Sequence, residues 1–153
     1  MTRKTTFRHR NLPLLLLQAR EAMLSRFRPL LKASGLSEQQ WRVVRALADC
    51  ESMEPRQIVQ RCGISSPSLA GVLARMDEEG WIRRERFADD ARRVRVTLTP
   101  KGRVVVGRLM PRVESRYDEI EALMGRRFMR SIYGALDTLI ARLGGGNESD
   151  GGE

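Results

Sequence analysis

The chain has 153 residues, with 28 lysines and arginines against 19 aspartates and glutamates, a formal charge of +9 at pH 7. That length suits one domain with a real core, and the charge favours polyanionic partners, either nucleic acid or an acidic membrane surface. No run approaches the roughly 18 apolar residues that span a bilayer, and two cysteines with one histidine make a zinc site improbable. No Ser-His-Asp set, paired-carboxylate cleft or phosphate-cradling glycine loop presents itself, so the expectation is a non-enzyme without a cofactor.

Residues 1–10 read as a basic N-terminal arm. Arg3 to Arg10 followed by Leu12 to Leu17 mimics a secretion signal. Its apolar part is too short, and Gln18, Arg20 and Glu21 follow without a cleavage site, so the expected location is cytoplasmic. From Leu12 to about Ala33 a long helix is predicted, repeating Leu16-Leu17, Met23-Leu24 and Leu30-Leu31 every seven residues. Pro29 should bend its last turns or divide it. Arg20 falls on the apolar stripe, where a buried guanidinium is costly unless paired. Two readings stand: a glutamate partner or a side chain snorkelling to water, and an arginine waiting for an anionic ligand.

Gly35 should stop this helix and Ser37 should cap the next, in a near capping box with Gln40. Trp41, Val44, Leu47 and Ala48 form the predicted inner stripe, and Arg45 flanks Trp41 one turn on. A tryptophan there is more often plain core. Two arginines and an indole near a helix junction would nevertheless suit an aromatic acid, the ring packed on the indole and the carboxylate in a salt bridge.

The stretch from Pro55 to Gly102 is the most informative. Ile58, Val59, Ile64, Leu69, Val72, Leu73 and Met76 are spaced for two short helices folded across a turn at Gly63, the second opened by Ser66-Pro67. Its outward face would carry Pro67, Ser68, Ala70, Gly71, Ala74 and Arg75, small and polar enough to enter a major groove. Gly80 ends that helix. Trp81 to Arg86 and Val94 to Leu98 have strand character and flank a polar hairpin loop. Between Gly80 and Arg103 lie eight basic residues (Arg83, Arg84, Arg86, Arg92, Arg93, Arg95, Lys101, Arg103) against Glu85, Asp89 and Asp90. A helix pair followed by a basic hairpin is a winged helix-turn-helix.

Leu98-Thr99-Pro100-Lys101-Gly102 turns the chain into a long helix to about Met124, striped by Val106, Leu109-Met110, Val113, Tyr117, Ile120 and Met124, with Pro111 expected to kink it. After Gly125, a last helix should place Phe128, Ile132, Leu136, Leu139 and Leu143 inside. The terminal helices offer more apolar surface than a reader this small needs, which points to a symmetric dimer. The predicted organisation is therefore mainly α with a small β-wing. Residues 11–36 and 100–143 supply dimerisation helices, 37–99 the DNA-binding region and 144–153 a disordered tail.

Asp90-Ala91-Arg92-Arg93-Val94 followed by Leu98-Thr99-Pro100-Lys101-Gly102 resembles the wing and exit signature of the MarR-type transcriptional regulators. The resemblance runs from about Leu12 to Leu143. Leu17-Gln18-Ala19-Arg20-Glu21-Ala22, Phe27-Arg28-Pro29, Gln39-Gln40-Trp41-Arg42, Pro67-Ser68-Leu69 and Arg116-Tyr117-Asp118 look like the subgroup that regulates homoprotocatechuate operons. It implies a homodimer that represses from a pseudo-palindromic operator and is released by a phenolic or aromatic acid. Matching ligand positions are Asn11, Arg20, Glu38, Trp41, Arg45 and Tyr117, with Arg20 on the carboxylate and Glu38 or Tyr117 on a ring hydroxyl. Ser66 stands where relatives tend to have arginine, so the operator sequence is expected to differ.

On the DNA side, Ser66 and Pro67 open the reading helix. Ser68, Gly71 and Arg75 are the candidates for base contacts. Arg92 would enter the minor groove, braced by Asp90, while Arg83, Arg84 and Arg93 would position on phosphates. Roughly eight phosphate contacts per dimer would give a log K against log salt slope near −7. Competing readings are a MarR-type regulator of stress or drug response with a different signal or a redox signal at Cys50 or Cys62, a charge-driven nucleoid or membrane-surface protein, and an enzyme clamping an aromatic acid with Arg20 and Arg45.

Overall fold

Six helices and one antiparallel hairpin build the computed structural model, which describes residues 6–144. In chain order these are α1 (Leu12–Ala33), α2 (Glu38–Ala48), α3 (Pro55–Cys62), α4 (Ser66–Glu78), β1 (Ile82–Arg86), β2 (Val94–Leu98), α5 (Pro100–Met124) and α6 (Arg126–Leu143). The first five residues of the basic arm, and 145–153 of the expected tail, lie outside the described residues. The chain divides into two compact units, with the boundary after Val113 inside α5. Among the described residues no helix is long and apolar enough to cross a membrane.

In the first unit, Asn11 caps α1 by accepting the Leu14 N–H at 3.1 Å. The helix runs through Pro29 undivided. Its buried side is confined to Phe27, Leu30 and Leu31, which corrects the expectation of one apolar stripe along its whole length. Leu17 is 55% exposed and Leu16, Met23 and Leu24 are half-buried, so the first turns have little cover among the described residues. Gly35, at φ 73°, ends the segment. Ser37 and Gln40 then form the full capping box, each side chain on the other's backbone N–H at 3.0–3.1 Å.

The core of the reader forms where α2, α3, α4 and the hairpin meet. Val43, Val44, Leu47, Ile58, Ile64, Leu69, Leu73, Met76, Ile82, Val96 and Leu98 are all buried. The turn between α3 and α4 rests on Gly63 in the left-handed region (φ 60°), where a side chain would be strained. Arg42 of α2 reaches across this turn, donating to the carbonyls of Cys62 at 2.7 Å and Gly63 at 3.3 Å. It thereby satisfies carbonyls that the end of α3 leaves without a helical partner.

The wing strands pair in the register Ile82↔Leu98 to Arg86↔Val94. A bridge the sequence did not suggest, Met53↔Val96, adds backbone bonds of 3.0 and 2.7 Å and joins the middle of β2 to the segment before α3. The exit motif has a physical reason at each position. The Thr99 N–H donates to the Trp81 carbonyl at 3.0 Å, and its hydroxyl accepts the Gly102 N–H at 3.0 Å to cap α5. Pro100 occupies the first turn, where no N–H is needed. Gly102 is required by space, because a Cβ there would run into the Trp81 carbonyl.

The second unit holds the end of α5 and α6, separated by Gly125 at φ 87°. Ile120 and Met129 are buried. The expectation that Phe128, Ile132 and Leu143 lie inside is corrected: all three are exposed, Leu143 at 76%, as are Met110 and Met124 on α5. Leu136 and Leu139 are half-buried. Among the described residues the apolar side chains of Phe128, Ile132 and Leu143 are thus exposed.

Candidate functional site

Two groups of candidate residues occur in the first unit. On α4, Ser66, Pro67, Ser68, Ala70, Gly71 and Arg75 are exposed, while Leu69, Val72, Leu73 and Met76 anchor the opposite side. Ser65 donates its hydroxyl to that of Ser68 at 2.9 Å, fixing the polar start of the helix. A Cβ on Gly71 would meet nothing within 4 Å. The chain's own packing therefore does not demand glycine there.

The arginines of the wing fall into two kinds. Arg84 donates twice to one oxygen of Asp77, at 3.0 and 2.9 Å. Arg93 donates to Glu54 at 2.7 Å and lies 4.3 Å from the centre of the Phe87 ring. The bond to Glu54, more than any other influence, raises the Arg93 pKa above its ordinary value. Both side chains, expected on phosphates, are thus engaged by carboxylates of their own chain. Arg83, 65% exposed, is only 3.7 Å from Glu85. The guanidinium of Arg92 forms no ion pair among the described residues. Its backbone N–H donates to Asp90 at 3.0 Å, so the bracing by Asp90 acts through the turn and not through the charged group.

The second group is centred on α1 and α2. Arg20 is not buried: its side chain is 45% exposed, with Glu38 at 3.9 Å and Glu21 at 4.0 Å. The first turns of α1, open to solvent, let the guanidinium reach water. Glu38 is held instead by Arg28, whose Nε donates at 2.6 Å while its terminal nitrogen reaches both oxygens of Glu21 at 2.8 Å. Hydrogen bonds to Glu38, then to Glu21, raise the Arg28 pKa. Arg28 and Glu21 were not among the residues singled out from sequence as contacts. Their alternating charges at 20, 21 and 28 were the only available signal.

Trp41 is half-buried, and Arg45 lies 6.0 Å from its ring centre. Asn11 and Arg20 are nine residues apart on one helix, about 13 Å along its axis, so a single chain does not bring them to one small carboxylate. Tyr117 belongs to the second unit. Beside Glu38, a groove of about 550 Å³ is lined by Ser25, Arg28, Pro29, Leu31, Lys32, Leu36 and Glu38. Its lining mixes apolar side chains with Arg28, Lys32 and Glu38, and of the expected ligand positions it includes Glu38 alone.

Cys62 lacks the environment of a reactive thiol. Cys62 is buried, donates to the Arg42 carbonyl at 3.5 Å, and burial pushes its pKa up against the opposing pull of Arg42 and Arg61. Cys50 donates to the Ala46 carbonyl at 3.4 Å.

A model of the MarR family matches residues 34–93. The chain is 39% identical to the homoprotocatechuate degradative operon repressor of Escherichia coli, over 93% of this chain and 95% of that one. Among solved structures, transcriptional regulator PA4135 superposes with a TM-score of 0.83 at 40% identity, covering 86% of this chain and 96% of its own. NadR in complex with 4-hydroxyphenylacetate superposes with a TM-score of 0.79 at 34% identity, covering 90% and 97%.

Proposed function

The chain belongs to the MarR family of transcriptional regulators, and we propose that it works in the cytoplasm as a homodimeric repressor of an aromatic-acid catabolic operon. Two copies of α4 enter successive major grooves of a pseudo-palindromic operator, and the two Arg92 side chains enter the flanking minor grooves. The observation that carries this reading is the outer face of α4. It is exposed, small, polar and anchored from behind, and its Gly71 is not explained by internal packing. The exposed apolar residues of α6, Phe128, Ile132, Ile140 and Leu143, support pairing with a second copy.

The proposed effector is a hydroxyphenylacetate-like acid. Its carboxylate pairs with Arg20 and its ring packs on Trp41 beside Arg45. Its hydroxyl is met by Glu38 or Tyr117, and Asn11 reaches the site from the second copy. Arg20 and Glu38 stand closer than the two ends of a para-hydroxylated ring, so binding parts them if both are used. Parting them shifts α1 against α2, and α2 bears on the turn between α3 and α4 through Arg42. Coupling of a typical size would lower operator affinity about five- to 150-fold.

The test is to enrich a duplex from a random library with the purified protein, then titrate 4-hydroxyphenylacetate into the complex. Preference for that duplex over random DNA of about 10³ or more, and its release by the acid, are expected. Equal binding to all duplexes would falsify the reading.

A further inference from the structure

We infer that Arg93 is a positioning residue, which with Glu54 and Phe87 clasps the wing to the start of α3 and so sets where Arg92 points. This rests on the operator-binding reading above and adds a component that it does not contain.

The wing loop, residues 87–93, is closed at its base by the Phe87 N–H on the Arg93 carbonyl at 3.0 Å. One side chain then leaves this closure point for another element. The Arg93 Nε donates to Glu54 at 2.7 Å, across 39 residues of sequence. Glu54 is the N-cap residue of α3, with its own N–H held by Gln57 at 2.8 Å, so the carboxylate stands on a fixed backbone. The Arg93 guanidinium covers the Phe87 ring at 4.3 Å, and Arg95 approaches the same ring at 5.7 Å. Immediately before Arg93, Arg92 has its N–H tied to Asp90 and no ion pair on its guanidinium among the described residues.

A two-stranded ribbon is marginal on its own, and the Met53↔Val96 bridge meets β2 at its middle, short of the loop. Without the clasp, the tip would be joined to the reader through β1 and β2 alone. With it, the tip is referred directly to the helix that precedes α4. The two wing tips and the two reading helices of a dimer must meet the duplex in one register, so a fixed relation between them reduces the ordering required on binding.

Electrostatics alone makes the opposite prediction. If Arg93 were a phosphate contact, Glu54 would be a competing anion beside the DNA, and neutralising it should tighten binding. If Glu54 and Arg93 form a clasp, neutralising either should weaken binding.

The experiment uses full-length protein and the duplex enriched by the wild type, comparing Glu54→Gln, Arg93→Gln and the double variant at several salt concentrations. The proposal expects each single variant to lose roughly two- to thirtyfold in affinity, the range two exposed ion pairs per dimer can span. The double variant should lose no more than either single one, and the salt slope should stay that of the wild type. Hydrogen exchange of the Phe87 amide, measured without DNA, should quicken in both single variants.

Unchanged or tighter binding by Glu54→Gln, together with a shallower slope for Arg93→Gln, overturns the proposal and makes Arg93 a phosphate contact. If the wild type enriches no duplex, the operator reading fails by itself. The exchange measurement then still decides, and an unaltered Phe87 amide in Glu54→Gln overturns the clasp.

Discussion

The Nε of Arg28 donates to a carboxylate oxygen of Glu38 at 2.6 Å, ten residues on and in the next helix. Arg20, on the same face of α1, comes only to 3.9 Å from the other oxygen. Glu38 is therefore held without Arg20, and the Arg20 guanidinium is the less committed of the two cations. Arg20→Ala should keep the fold and the operator affinity while losing at least about tenfold in affinity for 4-hydroxyphenylacetate, as befits a charged hydrogen bond. Thermal-shift titration with the acid, alongside an operator-binding assay, checks it. A variant that still released DNA at wild-type concentrations of the acid would remove Arg20 from the pocket.

Arg42 is placed to hold the helix-turn-helix together. Methionine has comparable reach without donors, so Arg42→Met would leave the carbonyls of Cys62 and Gly63 with no partner from α2. The buried Nε of Arg42, without a hydrogen-bond partner among the described residues, is lost at the same time and offsets part of the effect. A net destabilisation of about 1–3 kcal/mol is expected, lowering the melting temperature by about 2–4 °C per kcal/mol for a chain of this size. Calorimetry reads it directly. A shift within error would mean that water replaces the guanidinium at no cost.

At Gly102 two effects oppose each other. Alanine is favoured over glycine inside a helix by about 0.8–1.0 kcal/mol. Here, however, the added Cβ meets the Trp81 carbonyl, which is held in place by the Thr99 N–H. Backbone cannot yield as a side-chain end can, and overpacking typically costs about 1–3 kcal/mol. Gly102→Ala should therefore destabilise, whereas Gly107→Ala, with nothing within 4 Å, should be neutral or stabilising. Urea unfolding of both variants tests the contrast, and a more stable Gly102→Ala protein would contradict it.

The local rules were readable from the chain. Gly63, the Ser37–Gln40 box, the apolar spacing from Ile58 to Met76 and the bounds of β2 follow from single residues and short periods, and the structure has them. What was not legible is which charges are already spoken for. Eight basic residues surround the wing, yet nothing local distinguishes Arg93, engaged by Glu54 from 39 positions away, from its neighbour Arg92. Arg20 follows the first of its two readings, beside glutamates and open to water, and the choice between them was hidden for a related reason. Helical period assigns a residue to a face, but whether that face is covered depends on what else the chain can lay over it. For the first turns of α1 it lays down little.

Cys62 carries a pH dependence of definite sign. Burial raises its pKa, so the unfolded chain gives up this proton first as pH rises. The stability it contributes is complete below the ordinary thiol value of about 8.5 and is lost as pH climbs through that value towards the raised one. Cys62→Ala should flatten the decline in melting temperature on the alkaline side. A thiol kept protonated at neutral pH is also a poor peroxide target, so brief peroxide treatment should leave operator binding intact through Cys62. Loss of binding that Cys62→Ser abolishes would restore the redox reading.

The split among the wing arginines changes the expected salt dependence. Counting eight phosphate contacts per dimer gave a slope near −7. Arg84 and Arg93 are engaged by Asp77 and Glu54, and pairs already neutralised release few counterions. Of the four counted per chain, Arg83 and Arg92 remain, four per dimer, for a slope of about −4. Arg92→Ala should make it shallower by about 2 and weaken binding at every salt concentration, whereas Arg84→Gln should leave the slope unchanged. Arg84 also ties β1 to the end of α4, so its loss can reduce affinity while counterion release stays constant. Slope and affinity thus separate a charge that meets phosphate from one that holds the reader in shape. A slope near −7 in the wild type, made shallower by Arg84→Gln, would mean that Asp77 gives Arg84 up when DNA arrives.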